Sequence, residues 1–207
     1  MIRSRFFLLC TALLVVLAAA PTPVARADAA PDVKEMPAGA YQIDPNHASI
    51  TFKINHLGFS HYTGRFDKME ATLNFNIGAL EQSALNVTIY PNSVNVNNAK
   101  LEEELRGDKF FDVIKYPRAT FQSTKIERTG PTTGKVTGDF TFMGATHTVT
   151  LDTTLVGAGK RAMDGKLVIG FSATGTIRRS DYGLTNLVPM VGDDVTLEIE
   201  AEFDKAD

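Results

Sequence analysis

The feature that most constrains the fold of this chain is an alternation of apolar and polar residues, repeated in eight separate runs. In the last run, for example, Leu197 and Ile199 alternate with Glu198 and Glu200. Successive side chains of a strand point to opposite faces, so each run predicts a β-strand with one apolar and one polar face. The runs centre on residues 50–54, 73–77, 85–89, 119–123, 136–142, 149–151, 167–177 and 195–203.

A change of phase interrupts the second of these strands. Phe66 continues one alternation, whereas Met69, Ala71 and Leu73 follow the other. Such a slip predicts a β-bulge near residues 67–69 that bends the strand. Long, curved, two-faced strands separated by Gly, Asn and Asp are what a closed barrel requires, so we predict an eight-stranded antiparallel β-barrel.

One segment, residues 97–106, does not alternate. Leu101 and Leu105 stand four residues apart, and Gly107 follows. This pattern predicts a short amphipathic helix, capped at its start by Asn97 or Asn98 and at its end by the glycine. We expect the two leucines to lie over an open end of the barrel.

The first 27 residues have the pattern of a secretory signal peptide. Arg3 and Arg5 precede an apolar stretch over residues 6–20, and Ala25-Arg26-Ala27 is a small-residue cleavage site. We therefore expect cleavage near Ala27, periplasmic or secreted localisation, a flexible leader over residues 28–40 and a barrel domain over 41–205. The single cysteine, Cys10, leaves with the signal.

The charge of the mature chain argues against nucleic acid as a partner. Removing Arg3, Arg5 and Arg26 leaves 21 − 3 = 18 basic residues against 24 acidic ones, a net charge of −6. An acidic domain is a poor binder of nucleic acid.

The composition indicates which face of the strands points inward. A membrane barrel turns its apolar face to lipid and carries girdles of aromatic residues. This chain has no Trp and five Tyr, and its last strand would crowd glutamates into the lumen. We therefore expect the apolar face inside. A small barrel is filled by its own side chains or holds one ligand, and composition leaves both open.

Four segments between Tyr41 and Phe203 carry the most specific motifs of the chain. In order, they are YQIDPNHASITFKINHLGFSHYTGRF, LRGDKFFDVIKYPRATFQST, GDFTFMGATHTVTLD and GTIRRSDYGL. Together they resemble the YceI-like family of exported polyisoprenoid-binding proteins. The resemblance implies a lipocalin-like barrel with an elongated apolar tunnel. It implies a bound isoprenoid quinone, polyprenyl phosphate or similar long amphiphile as ligand, with no other cofactor.

The inward-phase residues are the candidate ligand-binding residues, and the helix and the segment after it are candidates for closing one end. They are Phe52, Ile54, Phe66, Leu73, Phe75, Val87, Ile89, Leu101, Leu105, Phe110, Phe111, Phe121, Phe140, Phe142, Val149, Leu151, Phe171, Ile177, Leu197 and Ile199. We expect about half of them to touch ligand and the others to pack the core.

Polar side chains near the strand ends are candidates for contacting a lipid head group. They are His56, Arg178 and Tyr182. For Arg178, an ion pair with an aspartate beneath a turn is the alternative. We expect His47 to make a structural hydrogen bond. We predict no metal site, because the histidines lack any recognised ligand spacing.

The sequence thus predicts an exported binding protein that holds a long-chain isoprenoid, quinone, polyprenyl phosphate or fatty-acid derivative as carrier, store or sensor. A self-packed barrel that acts through its surface as an interaction or stress protein is the first alternative. A lipid-modifying enzyme is the second, although no nucleophile-elbow or paired-carboxylate pattern supports catalysis. Transient membrane contact and a homodimer stay open.

Overall fold

The computed structural model describes residues 33–207, so the predicted signal peptide and the first part of the leader lie outside the described residues. Ten strands and one α-helix follow one another along this part of the chain. They are β1 Gly39–His56, β2 Ser60–Phe66, β3 Met69–Phe75, β4 Ala84–Ile89, β5 Val94–Asn95, α1 Ala99–Arg106, β6 Ala119–Arg128, β7 Thr133–Phe142, β8 Ala145–Lys160, β9 Leu167–Arg178 and β10 Val191–Lys205.

Eight of the strands close into an antiparallel barrel, as predicted. Their order around the barrel is β1, β3, β4, β6, β7, β8, β9 and β10. The last strand pairs with the first along almost its whole length, from Tyr41 opposite Lys205 to His56 opposite Val191. This pairing removes the free sheet edges that an open sheet would expose.

The first strand is long enough to serve two partners. Its beginning pairs with β3, and its end pairs with β2, which carries the two-residue strand β5 on its outer side. Asp67 and Lys68 separate β2 from β3, at the place where the alternation changes phase. The register between β1 and β10 also shifts between Ile43 and Ala48. The strands therefore bend near residues 67–68 and near residues 43–48.

The apolar face of the strands points inward, as expected. In β3, Met69, Ala71, Leu73 and Phe75 are buried, and the residues between them are exposed. The glutamates of β10 lie on the outer face, where Glu198, for example, pairs with Lys53 at 2.6 Å.

The predicted helix forms between Ala99 and Arg106. Its N-cap is Asn98, whose side chain accepts a hydrogen bond from the Leu101 amide at 3.2 Å. Gly107 follows the last turn with a φ of −71°, so the helix ends without the left-handed glycine that often caps helices.

The structure differs from the predicted flexible leader at residues 33–40. Val33–Glu35 forms a 3-10 turn, and β1 begins at Gly39. Met36 is buried beside Tyr41 and Ile169, because a large apolar side chain gains more by packing there than by facing water.

The strand directions define two ends of the barrel. The helix end contains α1, the β1–β2 turn, the β7–β8 turn and the segments 107–118 and 179–190. The opposite end contains the β3–β4, β6–β7 and β8–β9 turns. Within residues 33–207, no helix has the length and apolar character needed to cross a membrane.

Candidate functional site

The barrel encloses a cavity of about 440 Å³. Its wall includes Pro131 and Thr132 at the opposite end and His56 and Leu187 at the helix end. The cavity therefore runs the length of the barrel. Its volume falls in the range of about 300–1,000 Å³ that is typical of small-molecule sites.

All twenty residues that the sequence analysis assigns to the interior lie on the wall of this cavity. Those contributed by the strands are Phe52, Ile54, Phe66, Leu73, Phe75, Val87, Ile89, Phe121, Phe140, Phe142, Val149, Leu151, Phe171, Ile177, Leu197 and Ile199. Leu101, Leu105, Phe110 and Phe111 reach the cavity from the helix and the segment after it. Which of them touch a ligand remains a prediction.

Aromatic rings surround the cavity toward the helix end. Phe66 lies 5.6 Å from Phe52 and 5.9 Å from Phe111, measured between ring centroids. Phe142 lies 5.6 Å from Phe111, and Tyr182 lies 6.1 Å from Phe142. Tilted contacts at these distances are favourable beyond the apolar area that the rings bury.

Tyr182 brings a polar group to this aromatic wall. The residue is 3% exposed, and its ring packs edge-on against Phe140 at 5.4 Å. Burial, with a smaller contribution from Asp181, raises the pKa of its phenol to about 12. The hydroxyl is therefore a neutral donor at any physiological pH, and no described protein group forms a hydrogen bond with it.

The family model of the YceI-like domain matches residues 41–203. The chain belongs to the YceI-like family.

Relatives with a similar sequence and fold agree with this assignment. Protein YceI of Salmonella arizonae is 36% identical over 167 residues, which cover 80% of this chain and 86% of that protein. The crystal structure of a Campylobacter jejuni YceI protein is 37% identical with a TM-score of 0.66, covering 75% of this chain and 91% of that one. A polyisoprenoid binding domain from Saccharophagus degradans shares the fold at 15% identity and a TM-score of 0.57, covering 80% of this chain and 98% of that domain.

The three predicted head-group residues do not come together in this YceI-like barrel. His56 and Tyr182 line the cavity, but the Arg178 side chain is 63% exposed and pairs with Asp193 at 3.0 Å. Arg178 follows Ile177, which points inward, so the strand alternation turns the arginine outward. The structure thus favours the ion-pair alternative for Arg178, although with Asp193 as its partner.

The neighbouring Arg179 belongs to the same polar cluster of the sequence but is not among the predicted head-group residues, and it lies on the cavity wall instead. It is 7% exposed, and burial lowers the pKa of its guanidinium. Its three nitrogens donate to the carbonyl oxygens of Gly192, Leu184 and Val191 at 2.7, 2.8 and 2.9 Å. The sequence contains a signal for this position: Arg179 stands two residues after the inward-facing Ile177, so the strand alternation predicts that it also faces inward.

The histidines behave mainly as structural residues. His47 forms the expected hydrogen bond, from Nδ1 to Asp44 Oδ2 at 2.9 Å. In the described part of the chain, the residues that come closest to a metal-ligand group are Asp44, His47 and Glu202. Arg161 already lies against this group, 3.1 Å from Asp44 Oδ2 and 3.6 Å from Glu202 Oε2. Its cation opposes the entry of a metal ion by charge repulsion.

Proposed function

We propose that this YceI-like protein is exported and binds a long-chain isoprenoid or a similar amphiphile in its barrel. The observation that carries the proposal is the elongated cavity, whose wall is mostly hydrocarbon between its two ends. Such a wall suits an alkyl or isoprenoid chain, because its few polar groups could not satisfy a polar ligand.

The size of the cavity supports a ligand rather than self-packing. An apolar cavity of about 150 Å³ already holds a benzene-sized molecule. The cavity of this barrel, at about 440 Å³, is large enough for a longer hydrocarbon ligand.

We propose a quinone or a polyprenyl phosphate as the ligand class, with its head group at the helix end. The Tyr182 ring is buried, and its phenol is protonated and has no hydrogen-bond partner among residues 33–207, so it can donate to a carbonyl or phosphate oxygen. His56 lies on the same part of the wall. The fold neighbour from Saccharophagus degradans, a polyisoprenoid binding domain, is consistent with this ligand class.

The energetics of transfer suggest a carrier, store or sensor. A buried methylene gains about 0.8 kcal/mol relative to water, but the chain of a membrane lipid is already out of water. Moving it from a bilayer into the barrel is therefore nearly neutral in the hydrophobic term. Head-group contacts then decide occupancy, which makes exchange reversible. We propose binding rather than catalysis because the cavity wall offers mostly hydrocarbon and few reactive groups.

The test is organic extraction of protein purified from its exported form, followed by mass spectrometry. We expect one long-chain lipid per protein. The variant Ala173→Phe places a ring in the middle of the cavity, because Ala173 faces inward beside Leu151 and Ile199. It should lose the lipid but not the fold. Thr174→Phe, one residue along and on the exposed face, is the matched control.

Three outcomes would contradict the proposal. The first is an empty extract, repeated after incubation with quinones and polyprenyl phosphates. The second is a lipid that Ala173→Phe retains as well as Thr174→Phe does. The third is a loss of about 1–3 kcal/mol in the stability of lipid-free Ala173→Phe relative to lipid-free wild type, which is what overpacking a filled core costs.

A further inference from the structure

The large hydrophobic side chains that remain exposed are concentrated at the helix end. Seven such residues occur among residues 33–207, and five of them are on loops at this end. We call these five the apolar rim: Leu57, Phe59, Ile114, Leu187 and Met190, with exposures of 49, 89, 94, 53 and 58%. Scattered exposed apolar residues are ordinary, whereas a group at one end marks an interaction surface.

The rim is a joined structure rather than three independent loops. The amide of Leu57, in the β1–β2 turn, donates to the carbonyl of Met190 at 2.9 Å. The side-chain amide of Asn186 donates to the carbonyl of Lys109, which lies in the same segment as Ile114. The loops that carry the rim residues are therefore held together around one opening.

The local backbone conformation does not explain why leucine occupies positions 57 and 187 of the rim. Leu57 and Leu187 have φ values of 56° and 63°, in the left-handed region that favours Gly or Asn. Leu57 and Gly58 form a two-residue turn closed by a hydrogen bond from the Phe59 amide to the His56 carbonyl at 3.0 Å. Asn-Gly is the preferred pair in such a turn. A leucine there is unfavourable in conformation and in exposure, which indicates a use outside the folded chain.

The segments around the rim carry less net negative charge than the chain as a whole, which suits contact with a membrane. The β1–β2 turn contains no charged residue, residues 107–118 contain three basic and two acidic ones, residues 179–190 contain one of each, and α1 contains two basic and three acidic ones, so the charges of these segments cancel. The chain as a whole has a net charge of −3. Lys115 lies over the ring of Tyr116 at 5.0 Å, a pairing of cation and aromatic ring that is common at bilayer interfaces.

We propose that the apolar rim docks onto a phospholipid bilayer and holds the helix end of the barrel against it. His56, Asn186 and Leu187 lie on the cavity wall, so the docked rim surrounds the mouth of the cavity. A lipid then moves between bilayer and barrel without crossing water. Side chains on separate loops suit a bilayer, which has no fixed shape to match. The exchange step rests on the proposed lipid-binding function, whereas the docking step does not.

The experiment measures binding of the full mature chain to phosphatidylethanolamine–phosphatidylglycerol vesicles by flotation. We expect wild-type protein to float with the vesicles at low and at raised ionic strength, because insertion of apolar side chains is not screened by salt. Phe59→Ser and Ile114→Ser should each reduce the partition coefficient about tenfold, since each removes a large apolar group from the interface. Both side chains are almost fully exposed, so neither change affects the core.

Met163→Ser is the matched control, because Met163 is 95% exposed in the β8–β9 turn at the opposite end. We expect it to bind vesicles as wild type does. Absence of wild-type flotation, or an equal loss in Met163→Ser, would overturn the proposal. A dimer that Phe59→Ser dissociates, without any vesicle binding, would also overturn it and assign the rim to a second copy of the chain.

The lipid content of the same samples separates this proposal from the proposed function. A Phe59→Ser protein that keeps its extracted lipid but no longer floats supports docking through the rim. A wild-type protein that floats but yields an empty extract supports docking and contradicts lipid binding.

Discussion

The two ends of the barrel are each held by one arginine, in opposite ways. At the helix end, buried Arg179 donates only to main-chain carbonyls, those of Gly192, Leu184 and Val191. At the opposite end, Arg161 is 19% exposed and pairs with Asp44 and Asp204 at 3.1 and 2.8 Å. The first arrangement closes a loop without placing a carboxylate on the cavity wall. The second closes the barrel with a network of ion pairs, whose other members Asp164 and Glu202 are partly exposed.

This difference matches the surfaces of the two ends. The helix end presents the apolar rim and the aromatic wall around Tyr182, whereas the opposite end presents the carboxylates of Asp44, Asp164, Glu202 and Asp204. A lipid that enters and leaves the barrel from a bilayer, with its head group beside Tyr182, needs the first kind of surface. The ion-paired end serves the fold, because Arg161 of the β8–β9 turn pairs with Asp44 of β1 and Asp204 of β10.

The largest expected effect is that of Arg179→Ala. It leaves three carbonyls without their charged donor and should lower the free energy of unfolding by about 3 kcal/mol, measured by urea denaturation. Arg179→Lys should recover only part of this loss, because an ammonium cannot span three carbonyls as the guanidinium does. Arg178→Ala is the control, since its partner is one surface carboxylate. A loss for Arg179→Ala no larger than that of Arg178→Ala would contradict this account of the helix end.

A smaller loss is expected for Arg161→Ala at the opposite end. Hydrogen bonds to Asp164 and Asp204 raise the pKa of Arg161, and its removal leaves neighbouring carboxylates to repel one another. Because Asp164, Lys166 and Glu202 of this network are partly exposed, salt should narrow the difference in Tm between this variant and wild type. The deficit of Arg179→Ala should not depend on salt. Lys135→Ala, which breaks the exposed pair with Asp152, should leave the Tm nearly unchanged.

The barrel and its apolar interior were predictable because their signals are local and repeated. Eight alternating runs define the strands and which face is buried, and two leucines four residues apart define the helix. Asn98 and not Asn97 turned out to be the N-cap, a difference of one residue that only the backbone geometry decides.

The ends of the barrel were less predictable because they depend on contacts between distant segments. Arg161 meets Asp44 across 117 positions, and no local pattern indicates that pairing. Arg178 and Arg179 are chemically identical neighbours. Only the alternation that places Ile177 inward distinguishes them, because it turns Arg178 to the surface and Arg179 to the interior. Met36 was assigned to a leader because its neighbours are Ala, Pro and charged residues, although it packs into the core.

The role of Tyr182 at the helix end is tested by Tyr182→Phe, which removes the unpaired hydroxyl and keeps the ring. If the phenol donates to a head group, affinity for an isoprenoid quinone should fall about threefold to tenfold, the value of one hydrogen bond. Affinity for squalene, an isoprenoid without a head group, should not change. Tyr62→Phe is the matched control on the same wall, because the Tyr62 hydroxyl already donates to the Val96 carbonyl at 3.4 Å. Equal losses for quinone and squalene would place the head group elsewhere.

The smallest expected effect concerns His47 at the opposite end. The hydrogen bond to Asp44, with smaller contributions from the charges of Asp44 and Glu202, raises the pKa of His47. A folded-state pKa above the unfolded value of about 6.5 means that protonated His47 stabilises the fold below that pH. The contribution is lost as pH rises through the folded pKa.

The Tm of wild type should therefore exceed that of His47→Gln slightly at about pH 5.5, and the two should converge above about pH 8. The same hydrogen bond lowers the pKa of Asp44, so the contribution of that carboxylate is lost in a separate window below about pH 4. His61→Gln, exposed on β2 near the helix end, controls for the loss of a surface histidine. If the difference in Tm between wild type and His47→Gln widened as pH rises, neutral His47, rather than its cation, would be the form that stabilises the ion-paired end.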